Sequence, residues 1–90
     1  MLALPSQLTH EVDIAKELQR LVSLSPATGA VQVNASTLDQ LDSSCVALLL
    51  DWQRQLAARN QTLVLHGPTP ALAALLQVYG VDELLVISSV

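Results

Sequence analysis

Asp42-Ser43-Ser44-Cys45 places a carboxylate, two hydroxyls and a thiol in succession, directly ahead of the apolar run Val46-Ala-Leu-Leu-Leu50. Asp and Ser are the residues that satisfy free N–H groups at a helix start, so capping is the first chemistry this stretch offers. The second is a phospho-acceptor or contact hydroxyl held exposed where a strand gives way to a helix. The two are compatible, because one residue caps while its neighbour points outward. A helix N-terminus favours a phosphate there, and the charges of Asp39 and Asp42 partly offset that by repulsion. Cys45 would need a lowered pKa and a base to act as a nucleophile, and neither His10 nor His66 lies near it in sequence. It reads as a small buried hydrophobe. His66 precedes Gly67-Pro68, at the strand end where ligands often sit in parallel α/β sheets, but a lone His there reads as a loop residue. One Cys and two distant His do not make a zinc set. With only three Gly, the chain has neither a Gly-x-Ser-x-Gly elbow nor a phosphate-cradling loop. No catalytic residue, metal ligand or cofactor is expected, and the chain reads as a non-enzyme.

The elements that position this stretch follow from periodicity. Leu2 and Leu4 suggest a short strand cut by Pro5. Thr9 is a plausible N-cap, followed by Glu11 and Asp13, for a helix whose apolar residues Ile14, Ala15, Leu18, Leu21 and Val22 recur three or four apart and which ends near Leu24. Ala30 to Asn34, with Val31 and Val33, reads as a buried strand. A second helix runs from Asp42-Ser43-Ser44 to about Asn60. Its apolar residues, Cys45, Val46, Leu48, Leu49, Leu50, Trp52 and Leu56, form a sleeve rather than a stripe. We expect Leu49, Trp52 and Leu56 to point inward, and Val46 and Leu50 to lie near a partner surface. Gln61 to His66 is another short strand. Thr69 caps a third helix with Pro70 at its first position. Leu72, Leu75, Leu76 and Tyr79 share its core face, and Gly80 ends it. Val81 to Ile87 is open between a last helical turn and a strand. Strands alternating with helices imply an α/β fold: one small domain over residues 1–90, with a mainly parallel sheet and right-handed crossover helices.

Composition narrows the partners. Apolar residues make up 51% and charged residues 13%, against about 25% charged in an ordinary domain. That excludes intrinsic disorder and leaves some apolar surface for a partner. A formal net charge of −4 with four basic residues gives no footprint for nucleic acid or for an anionic membrane. The longest apolar runs fall far short of the roughly 20 residues of a spanning helix, so direct membrane insertion is not expected. The N-terminus lacks the basic region of a secretory signal, and a lone Cys fits a reducing compartment. We expect a cytoplasmic location, with any membrane connection made through a partner.

The stretch Val31 to Leu50, centred on Asp42-Ser43-Ser44, resembles the heart of a STAS domain, the fold shared by sulfate transporter tails and anti-sigma factor antagonists. In that family a strand and turn lead to Asp-Ser-Ser-Gly or Asp-Thr-Gly-Gly and an Ala/Leu-rich helix. Gln61 to Leu72 resembles the next strand, loop and helix, and Leu75 to Asp82 the leucine-rich ending. Cys45 stands where the family usually has Gly. The chain starts at what resembles the family's second strand, which would leave one sheet edge to be covered by a partner or a loop. Within the family, Leu2-Ala-Leu, the short turn and Thr9-His-Glu-Val look most like the small stand-alone STAS subunits of bacterial Mla phospholipid ABC transporters. That resemblance implies a non-catalytic subunit bound to the transporter's ATPase and, through it, to a membrane permease, in a system that maintains outer-membrane lipid asymmetry. It places partner-binding or regulatory roles on Ser43, Ser44 and Asp42, with Val46 and Leu50 beside them. The family's hydroxyl directly after the Asp corresponds to Ser43. The serine phosphorylated in the antagonists corresponds to Ser44, which keeps a phosphorylation-regulated anti-sigma factor antagonist as the alternative.

Overall fold

Short parallel strands carry the helices on a single side of the sheet. The structure is a computed structural model and describes residues 2–81 and 85–88. Strands β1 (Leu2–Ala3), β3 (Val31–Asn34), β5 (Leu63–His66) and β6 (Val86–Ser88) form a four-stranded sheet in the order β1-β3-β5-β6, and every pairing is parallel. Strands β2 (Gln7–Leu8) and β4 (Gln40–Leu41) form a separate two-stranded parallel ladder. Three helices complete the described elements: α1 (Ile14–Leu24), α2 (Ser43–Ala57) and α3 (Pro70–Val78). The α/β architecture with a mainly parallel sheet is as the sequence predicts. The ambiguous Val81–Ile87 segment resolves in part, because Val86–Ser88 is a strand and 82–84 lie outside the described residues.

The register explains the core. Val31 and Val33 on β3 pair with Leu63 and Leu65 on β5, and all four are fully buried among helix residues. The alternate positions face the other way. Gln32 and Val86 are exposed there, while Asn34, Val64 and His66 are half-buried. A strand's period of two makes this division unavoidable once one face meets the helices.

Helix α2 occupies the middle of the helical layer. Cys45, Val46, Leu48, Leu49, Trp52 and Leu56 are all buried, and Leu50 is half-buried. Val46, expected near a partner surface, is 5% exposed and belongs to the core. The sleeve is consumed within the domain, because α2 packs against α1, α3 and β5 at once and so needs apolar residues on three sides. Leu49, Trp52 and Leu56 point inward as expected, and Leu50 alone of that set keeps appreciable exposure.

Local signals set the ends of the helices. Asp13, not Thr9, caps α1: its carboxylate accepts from the Lys16 N–H at 3.2 Å. Thr9 instead closes a turn, its carbonyl accepting from the Val12 N–H at 3.0 Å. Thr69 caps α3, accepting from the Leu72 N–H at 3.3 Å with Pro70 first in the helix, as predicted. Gly80, at φ 68°, lets the chain turn left-handed so that the Val81 N–H reaches the Leu76 carbonyl at 3.0 Å. Leu72 and Leu76 are buried as expected. Tyr79 is 52% exposed, because it is already the C-cap and has left the core-facing stripe.

The α2 N-terminus, a candidate interaction site

Two elements that are silent in the sequence pattern build this site. The β2–β4 ladder pairs Gln7 with Gln40 and Leu8 with Leu41, and the Asp42 N–H donates to the Leu8 carbonyl at 3.3 Å. This clip carries the Thr9-His10 turn to the mouth of α2. Strands of two residues are too short to show period-two alternation, so nothing in the residue pattern marks them.

Asp42 is the cap of α2, and its carboxylate is fully engaged by the fold. Oδ1 accepts from the Ser44 N–H at 2.8 Å, and Oδ2 accepts from the His10 N–H at 2.9 Å. The His10 ring nitrogen Nδ1 lies 2.9 Å from the same Oδ2. Hydrogen bonds from the His10 ring, the His10 backbone and the Ser44 backbone, with a smaller one from the Ser44 hydroxyl, hold the Asp42 carboxyl well below the usual carboxylate range. The same contact raises the His10 pKa above its ordinary value, through the hydrogen bond to Asp42 first and its charge second. His10 remains 79% exposed, so the pair sits at the surface.

With Asp42 as the cap, the two serines are released from that duty. Ser43 is exposed and Ser44 half-buried at the first positions of α2. Among the described residues the Ser43 hydroxyl has no hydrogen-bond partner, whereas the Ser44 hydroxyl adds a small interaction with the Asp42 carboxylate. Cys45 is buried, and its thiol is pushed up to about 12 by burial first and by the nearby Asp42 charge second. A thiol in that state is protonated and is not a nucleophile. His66 sits at the end of β5 and bonds to Gln32 Oε1 across the sheet. Of the sequence-predicted residues, Asp42, Ser43 and Ser44 therefore share one end of α2, Val46 lies in the core behind them, and Leu50 lies further along the helix. His10 is the member that sequence reasoning passed over. It is separated from Asp42 by 32 positions and carries no local motif. Among the described residues there is no cluster of His, Cys, Asp and Glu able to hold a metal ion, and no helix long and apolar enough to cross a membrane.

The fold is a small parallel α/β sheet layered by helices, with two serines at an Asp-capped helix start. The chain belongs to the STAS domain family: the family model described as "Mlab, STAS domain" matches residues 1–87. Among solved structures it is similar to an anti-sigma-factor antagonist (STAS) domain protein from Planctomyces limnophilus. The TM-score is 0.79 at 16% identity, over 98% of this chain and 80% of that one. At that identity the likeness concerns the fold. No curated protein gives a significant sequence match. STAS domains are generally non-catalytic and regulatory.

Proposed function

We propose that this chain is a non-catalytic STAS subunit that binds and supports the ATPase of a phospholipid ABC transporter maintaining outer-membrane lipid asymmetry. It docks with the α2 N-terminus, where Ser43 and Ser44 meet the ATPase and Asp42 holds them in place. Through the ATPase it is peripheral to the inner membrane on the cytoplasmic side. The observation that carries this reading is the division of labour at α2. Asp42 satisfies the helix start, so the exposed Ser43 hydroxyl is left for an intermolecular partner, with half-buried Ser44 beside it. Leu50, half-buried further along α2, extends the same helix as a secondary contact. This choice among STAS functions follows the resemblance of the N-terminal segment to the small transporter subunits.

The test is co-purification from cells, followed by transporter ATPase measurements with and without the chain. Ser43→Asp puts a charge into a desolvating interface, where an unpaired charge is expensive. Binding and ATPase support are expected to fall while the melting temperature stays near wild type. Ser44→Asp is the paired control, with a smaller loss expected. Equal binding by wild type and both variants would overturn the docking role. The second reading is an anti-sigma factor antagonist controlled by phosphorylation of Ser44. The place of Ser44 in the first turn of α2, at the position that the family resemblance gives to the antagonists' phosphorylated serine, supports it. Co-purification of a kinase-like anti-sigma factor instead of a transporter ATPase would select that reading.

A further inference from the structure

A groove of about 490 Å³ runs between the C-terminal halves of α1 and α2. It lies at the opposite end of α2 from the serines and shares no residue with the proposed docking site. Its floor is Leu18 and Val22, both half-buried and packed on the core, with Ala27 at one end. Its polar lining is the hydroxyls of Ser23 and Ser25, the neutral amides of Gln19 and Gln55, and the exposed Arg59.

Two polar side chains fasten the segments around the groove. The Ser25 hydroxyl donates to the Leu21 carbonyl at 2.8 Å and lies 3.2 Å from the indole nitrogen of Trp52, tying the end of α1 to α2. Buried Gln61 donates from Nε2 to the Pro26 and Gly29 carbonyls at 2.8 and 3.2 Å, which fixes the loop bearing Ala27. A volume of this size lies within the roughly 300–1,000 Å³ of binding clefts.

Charge decides the occupant. The chain carries eight acidic residues against four basic ones, yet no acidic residue lines this groove. Arg20 and Arg54 are paired with Glu17 and Asp51 on their own helices. Arg59 makes no ion pair among the described residues. A trough between two packed helices, apolar along its floor, matches the ridge of a third helix, and an exposed guanidinium in its lining matches a carboxylate on that ridge. We propose that the α1–α2 groove is a second docking surface, which takes an amphipathic helix of a protein partner, seated by apolar side chains at i, i+3/i+4 and i+7 and anchored by an Asp or Glu against Arg59.

The test selects from a displayed library of helix-forming peptides on the full chain and maps the winners by amide chemical shifts. The expected winners share an apolar stripe flanked by Asp or Glu, and they shift Leu18, Val22, Gln55 and Arg59 but not Ser43 or Ser44. Arg59→Glu is expected to weaken them at least tenfold with an unchanged melting temperature, and replacing the peptide acid by Lys to restore binding to that variant. Gln55→Glu, which puts a like charge on the facing wall, is expected to weaken the same peptides. Four results would overturn the proposal: winners without an acidic preference, shifts centred on the α2 N-terminus, affinities unmoved by Arg59→Glu, or a groove filled by a second copy of the chain in sedimentation. The serine docking site is tested separately, by Ser43→Asp.

Discussion

At Asp42 one carboxylate does two jobs that different residues often share. Oδ1 caps α2 and Oδ2 holds the turn containing His10, so the serines carry neither burden. Ser43→Ala is therefore expected to change the stability by no more than an ordinary surface substitution, about 0.5 kcal/mol, and Ser44→Ala by slightly more. Asp42→Ala is expected to lower it more than either, because it removes the cap and the tether together; thermal melts of the three variants check the order. The His10–Asp42 pair also makes a signed pH prediction. A raised His10 pKa means that its contribution is complete below the ordinary value of 6.5 and fades as the pH rises through the folded value. The lowered Asp42 pKa means that its contribution is present above the ordinary 3.8 and fades as the pH falls through the folded value. The difference in melting temperature between wild type and His10→Asn should be largest between those two ordinary values and shrink by about pH 9. Because the pair is exposed, the difference should also be small and reduced by salt. A difference that grows with pH would contradict the pairing. For Cys45, a buried thiol pushed up to about 12 predicts no alkylation by iodoacetamide in the folded protein and rapid alkylation once it is denatured.

At the scale of the element, α2 shows why an apolar sleeve need not mean an exposed surface. A helix with a single neighbouring layer needs one apolar stripe, whereas α2 has the sheet beneath it and a helix on either side. Its residues divide accordingly. Trp52 is fully buried and its indole nitrogen lies within reach of Ser25, so Trp52→Ala is expected to destabilise by about 3–5 kcal/mol. Val46→Ala is expected to cost about 2 kcal/mol, because two buried methyl groups are lost. Leu50→Ala should cost less than a fully buried leucine, for which about 2–5 kcal/mol is usual. Denaturant titration of the three variants measures this ranking. A Val46→Ala variant as stable as wild type would return Val46 to the surface. The helix boundaries were the most readable part of these elements. Thr69-Pro70 and Asp42 are capping residues whose chemistry acts within a turn. Thr9 misled for the same reason: its hydroxyl is a good acceptor, but the turn it closes lies before the helix that Asp13 caps.

For the whole molecule, the two faces of the sheet are unequal. Leu65 is fully buried against the helices, while Val86 on the other face is 49% exposed. Leu65→Ala is expected to cost about 2–5 kcal/mol, and Val86→Thr to stay within about 0.5 kcal/mol, again by denaturant titration. The sequence alone determined the alternation of strands and helices, and hence the parallel α/β class, because hydrophobic periodicity and capping are short-range properties. It also marked Asp42-Ser43-Ser44 as the informative stretch, because Asp and Ser ahead of an apolar run have a local chemistry. Only the tertiary structure decided what depends on distant neighbours. Val46 became core because α2 is packed on three sides. His10 became Asp42's partner because the two-residue strands β2 and β4 carry its turn across 32 positions. The α1–α2 groove exists because Ser25 and Gln61 fasten segments that no periodicity relates. Each of these is a long-range contact, and a contact between distant segments leaves no mark on the spacing of residues along the chain.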